Sequence, residues 1–90
     1  MVVSLEISLY PLTADHIPMI NDFLRLLHAT DLEVVTNGMS TQIFGTYDAV
    51  MSQLKSALRP CMEGETKVAV SIKMLNSHLP PNRWDSSAWS

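Results

Sequence analysis

A single cysteine, Cys61, excludes an intramolecular disulfide, and no second Cys or clustered His stands at zinc-ligand spacing. A reducing, cytoplasmic setting is expected. Positive charge is scarce: six Lys and Arg scattered singly against nine Asp and Glu leave a net charge of −3. That balance lacks the electrostatic footprint that dominates affinity for nucleic acid, so no such partner is expected. No apolar run approaches the roughly 20 residues needed to span a bilayer. The start, Met1-Val2-Val3-Ser4-Leu5-Glu6, has no basic stretch and meets an acid before a signal-like apolar segment can form. Neither membrane insertion nor export is expected.

Catalytic constellations are also missing. His16, His28 and His78 stand apart, none follows a nucleophile motif, and Cys61 has no basic neighbour beyond Arg59. His16 reads as a first-turn surface residue, His28 as a partner for a helix C-terminus, and Cys61 as a small loop residue. No enzyme, cofactor or metal site is expected.

What is present is an ordinary globular composition, 47% hydrophobic and 17% charged. Ninety residues make one domain, and a chain of this size buries only about 60 to 65% of its unfolded surface. Its small core leaves a few kcal/mol of stability, so a homodimer or higher homo-oligomer is expected.

Residues 3–10 alternate, with Val3, Leu5, Ile7 and Leu9 on one side and Ser4, Glu6, Ser8 and Tyr10 on the other: a strand ending at Pro11. Thr13 or Asp15 can cap a helix that admits Pro18 in its first turn and carries Ile17, Ile20, Phe23, Leu24 and Leu27 at helical spacing to about Ala29. Leu32 to Val35 form a short strand, and Asn37-Gly38 is the pair a tight hairpin turn prefers. The third strand runs over Ser40 to Phe44, and Gly45-Thr46 switches the chain into a second helix. Tyr47, Val50, Met51, Leu54 and Leu58 form its apolar stripe, and Pro60 is expected to stop it near Arg59. Val68, Val70, Ile72 and Met74 alternate with Lys67, Ala69, Ser71 and Lys73 in a fourth strand.

The order βαββαβ predicts an α+β, ferredoxin-like sandwich with a four-stranded antiparallel sheet, strand order 4-1-3-2, and both helices on one face. Residues 1–75 make this domain. Residues 76–90, where periodicity disappears and Trp84 and Trp89 are the only large apolar groups, read as a partly ordered tail.

In this topology the end of the first strand lies beside the start of the third, which gathers Ser8, Tyr10 and one member of Ser40-Thr41 on the face away from the helices. Glu6 and Gln42 lie further along it. Alternating strands commonly carry such hydroxyls as the wet side of a half-buried sheet. Two details point beyond that: Tyr10 and Phe44 are large aromatics on an otherwise polar face, and Glu6 is a carboxylate on a central strand. A covered or ligand-bearing face accounts for both.

The words Ile7-Ser8-Leu9-Tyr10-Pro11-Leu12 and Met39-Ser40-Thr41-Gln42-Ile43-Phe44-Gly45 resemble the YkoF-type thiamine- and hydroxymethylpyrimidine-binding family. The likeness extends over roughly residues 3–75 and leaves the tail out. It implies a ferredoxin-like domain that binds thiamine or its pyrimidine moiety without chemistry, in thiamine salvage or transport. Ser8 and Tyr10 match the first motif and Ser40 and Thr41 the second. With Glu6 and Phe44 these are the candidate ligand-binding residues. The family's name-giving member carries two repeats, whereas one is present here, so a second copy is expected to supply the other by packing sheet face on sheet face. That arrangement sets Glu6 and Lys73 of one sheet over the other.

A competing reading is an oligomeric assembly or regulatory module whose open sheet face pairs subunits without a pyrimidine ligand. An acylphosphatase-like hydrolase would want an Arg-bearing anion loop after the first strand, and Tyr10-Pro11-Leu12-Thr13-Ala14 has no cation.

Overall fold

The chain forms β1 (Val2–Pro11), α1 (Ile17–His28), β2 (Glu33–Thr36), β3 (Thr41–Thr46), α2 (Tyr47–Met62) and β4 (Val68–Leu75). The computed structural model describes residues 1–79, so Trp84 and Trp89 lie outside the described residues. Strand order is β2-β3-β1-β4, the expected 4-1-3-2 read from its other edge, and every pairing is antiparallel.

The period-2 pattern of β1 decides which face is covered. Val3, Leu5, Ile7 and Leu9 are all buried and meet Ile43 of β3, Phe23 and Leu27 of α1, and Val50, Leu54 and Ala57 of α2. Both helices therefore pack on one side, while Ser4, Glu6, Ser8 and Tyr10 face the other. Gly45 lets β3 approach the core closely: a Cβ there would sit 2.9 Å from Leu32 Cδ2.

Three local expectations are corrected. Neither Thr13 nor Asp15 caps α1. The N-cap is His16, whose carbonyl accepts from the Ile20 N–H at 3.1 Å and whose side chain makes no cap bond. The hairpin does not turn on two residues. Thr36↔Thr41 is its last pair, Asn37–Ser40 forms the loop, and none of these loop residues has positive φ. Asn37 organises this loop by accepting from the Met39 and Ser40 N–H groups at 2.8 and 3.2 Å, a side-chain turn that needs no left-handed glycine.

Pro60 does not end α2, which begins on Thr46, whose Oγ1 accepts from the Ala49 N–H at 3.4 Å, and continues to Met62. Proline removes one backbone donor, but so near the end this leaves the final turn intact, closed by Glu63 N–H to the Arg59 carbonyl at 3.0 Å. The extra turn carries Cys61 into the core, 7% exposed, so it is a packing residue of the helix and not a loop residue.

Candidate functional site

β1 outlasts its pairing with β3. The last pair is Ile7↔Thr41, and Ser8–Pro11 then continue alongside β4 alone. The hairpin loop swings away at this point, and α1 passes overhead with Ile20, Phe23 and Leu24. The result is a notch of about 280 Å³, near the lower end of the range for small-ligand sites. Its lining is mainly apolar, with Ile7, Leu9 and the α1 residues, and it is edged by Ser8, Tyr10, Thr36, Ser40 and Thr41. Such a space takes a flat, mostly apolar group with a few hydrogen-bonding atoms on its rim.

Ser8, Tyr10, Ser40 and Thr41 all line this notch, whereas Glu6 and Phe44 do not. Ser8 Oγ donates weakly to the Met39 carbonyl at 3.5 Å. Tyr10 stands at the rim, 53% exposed. Of the pair Ser40-Thr41, Ser40 is the one on the outer face. Its Oγ donates to Glu6 Oε2 at 2.8 Å and accepts from Gln42 Nε2 at 3.1 Å. Glu6 sits opposite both Gln42 and Lys73, and its Oε1 lies 3.6 Å from Lys73 Nζ. Glu6 and Lys73 are thus neighbours within one sheet, and the ammonium, 81% exposed, offsets the carboxylate only weakly.

Thr41 points to the helix side and is 3% exposed. Its Oγ1 is 2.9 Å from Thr36 Oγ1, which in turn is 2.9 Å from His28 Nε2. The notch is therefore reached by hydroxyls from both faces of the sheet, one anchored to Glu6 and the other to a chain ending on His28. This chain and the α1 wall escape sequence reading. The Thr36↔Thr41 pairing emerges only once the loop is known to hold four residues, and the placement of Ile20, Phe23 and Leu24 depends on how α1 lies across the sheet.

Phe44 is on the outer face as expected, but it is buried by its own chain. His78 packs against it edge-on, with ring centroids 5.8 Å apart at 86°. Ser4 Oγ fixes that segment, donating to the Ser77 carbonyl at 2.7 Å and accepting from the Leu79 N–H at 2.8 Å. Phe44 is accordingly a packing residue away from the notch, and it offers no open surface for a facing sheet.

Burial, with a smaller contribution from Asp22, pushes the Cys61 thiol up from its ordinary value and keeps it neutral. It does not line the notch. Among the described residues no three His, Cys, Asp or Glu side chains gather as metal ligands would, and no helix is long and apolar enough to cross a membrane.

The family model for YKOF-related proteins matches residues 2–77. A Streptococcus pneumoniae protein has the same fold with a TM-score of 0.78 at 24% identity, over 88% of this chain and 90% of that one. A hypothetical protein from Methanocaldococcus jannaschii aligns with a TM-score of 0.73 at 25% identity, covering 91% of this chain and 87% of the other. A Thermotoga maritima protein, named for a proposed part in thiamine biosynthesis or salvage, aligns with a TM-score of 0.64 at 14% identity over 80% and 82% of the two chains. Such coverage means that these neighbours, like this chain, are about one domain long. No curated protein matches the chain at a significant level.

Proposed function

The chain belongs to the YKOF-related family, and from this premise we propose that it is a non-catalytic binding protein for thiamine or its hydroxymethylpyrimidine moiety, serving thiamine salvage or transport. The observation that carries the proposal is convergence: two motifs more than 25 residues apart in sequence, Ser8/Tyr10 and Ser40/Thr41, line one notch. A pyrimidine ring fits between Ile7, Leu9 and the α1 wall, with its polar edge toward the hydroxyls of Ser8, Ser40 and Thr41 and with Tyr10 closing over it at the rim. Glu6 acts through Ser40, orienting its hydroxyl and biasing the outer side toward positive charge. The Thermotoga maritima neighbour's name points to the same vitamin. Titration calorimetry with thiamine, its phosphates and hydroxymethylpyrimidine tests the proposal, and absence of heat and of thermal shift at millimolar ligand would overturn it.

The second reading, an assembly module, is favoured by one feature, the long outer edge of β4, with which no strand pairs among the described residues. It does not exclude the first.

A further inference from the structure

Three side chains lead from the end of α1 into the notch. His28 Nε2 lies 2.9 Å from Thr36 Oγ1 on β2, and Thr36 Oγ1 lies 2.9 Å from Thr41 Oγ1 on β3. Thr36 and Thr41 line the notch, whereas His28 stands outside it, exposed on the last turn of α1. A hydroxyl has one proton to give, and a neutral imidazole nitrogen either donates or accepts. When His28 Nε2 accepts, Thr36 gives its proton to the ring and can only accept from Thr41, whose own proton is then turned away from the notch. A protonated imidazole can only donate. Thr36 then accepts from His28, which polarises it as a donor toward Thr41, and the Thr41 proton is released to the notch.

We propose that His28 is a positioning residue of the notch: by gaining a proton it reverses the hydroxyl chain through Thr36 and makes Thr41 a hydrogen-bond donor to the ligand. The effect on ligand rests on the binding reading above, whereas the relay itself does not. Histidine is the side chain suited to this, since its charge changes between pH 5 and 8. The donor matters because Ser40, with its proton on Glu6, offers the ligand only an acceptor. A ligand that carries both an amino group and a ring nitrogen, as an aminopyrimidine does, is then matched by Ser40 for the first and Thr41 for the second. The charged groups around His28 do not take over this role. On α1, Arg25 lies one turn back and pairs with Asp22 at 3.5 Å. On β2, Glu33 pairs across from Phe44 on the outer face and reaches His78 at 3.8 Å. The hairpin loop Asn37–Ser40 carries no charge. α2 meets this end of α1 through Gln53, which is neutral and donates to the Leu26, Leu27 and Ala29 carbonyls, while Asp48, Lys55 and the loop residue Asp31 are exposed. Among the described residues none of these forms an ion pair with His28.

Two titrations test this, one without ligand. In the first, nuclear magnetic resonance follows the His28 ring and the Thr41 methyl group of the unliganded protein from pH 8 to pH 5.5. The Thr41 signal is expected to move with the His28 midpoint, and Thr36→Val, which keeps the shape and the histidine but breaks the chain, is expected to abolish most of that movement while His28 still titrates. In the second, calorimetry with hydroxymethylpyrimidine over the same range compares the unmodified protein with His28→Gln, Thr36→Val and His16→Gln. Titration of the ligand itself is common to all four and cancels in the ratios of their affinities. Relative to His28→Gln and Thr36→Val, the unmodified protein should gain about three- to tenfold in affinity on acidification, the range of one net hydrogen bond. His16→Gln, altered at the far end of α1, should gain as the unmodified protein does. A Thr41 response that survives Thr36→Val would overturn the relay, and an equal pH profile in the unmodified protein and His28→Gln would overturn its effect on the ligand. Absence of heat at every pH would instead overturn the binding reading, and the titration without ligand then decides the relay alone.

Discussion

Ser40 Oγ donates its proton to Glu6 Oε2 at 2.8 Å while accepting from Gln42 Nε2 at 3.1 Å, so the hydroxyl at the notch edge is oriented before any ligand arrives. With its proton committed, Ser40 has acceptor capacity left to offer and selects a ligand donor such as a ring amino group. Ser40→Ala is expected to weaken ligand binding by about 1–3 kcal/mol, leaving that donor unpaired, while the denaturation midpoint moves little at this part-exposed site. Affinity equal to that of the unmodified protein would remove Ser40 from the site.

Thr41 behaves differently from its neighbour because it is buried and bonded to Thr36. Thr41→Val keeps the shape and removes the hydroxyl, so it should cost about 1 kcal/mol of stability in urea titration as well as affinity. A variant that binds poorly with unchanged stability would mean that the Thr36 contact contributes nothing to the fold.

Pro60 occupies an exposed position inside the last turns of α2. Pro60→Ala restores a backbone donor there and should raise stability by about 1 kcal/mol or more, after allowance for the extra freedom of the unfolded chain. Thermal unfolding checks this. A fall would show that the proline ring itself packs usefully.

Cys61 gives a signed pH dependence. Its thiol is pushed up from the ordinary value of 9.0 by burial, so the folded state holds the proton more tightly than the unfolded chain does. The associated stability is complete below that ordinary value and is lost as pH rises above it toward the raised folded value. Urea midpoints at pH 7 and pH 10 should therefore fall less for Cys61→Ala than for the unmodified protein. Equal falls in the two proteins would contradict a buried, neutral thiol.

Much of the fold was legible because alternation in β1 and β4 and the 3.6-residue stripes of α1 and α2 report burial directly. The same alternation exposed Glu6, Ser8 and Tyr10 as one face, with one member of the pair Ser40-Thr41 beside them. Tertiary context hid the rest. Pro60 reads locally as a stop, yet burial of Cys61 carries the helix past it. Phe44 reads as an open aromatic, yet His78, more than 30 residues later, covers it. The α1 wall and the link from His28 through Thr36 to Thr41 arise from packing angle and loop length, which leave no periodic trace in sequence.

On the proposed function, the notch between β1, the hairpin loop and α1 holds a thiamine-type pyrimidine. Calorimetric titration of the unmodified protein with hydroxymethylpyrimidine and with thiamine, repeated on Ser40→Ala and Thr41→Val, tests it most directly. Saturable heat is expected with both ligands, and weaker binding in both variants. No heat at millimolar ligand, or binding that neither variant weakens, would contradict it.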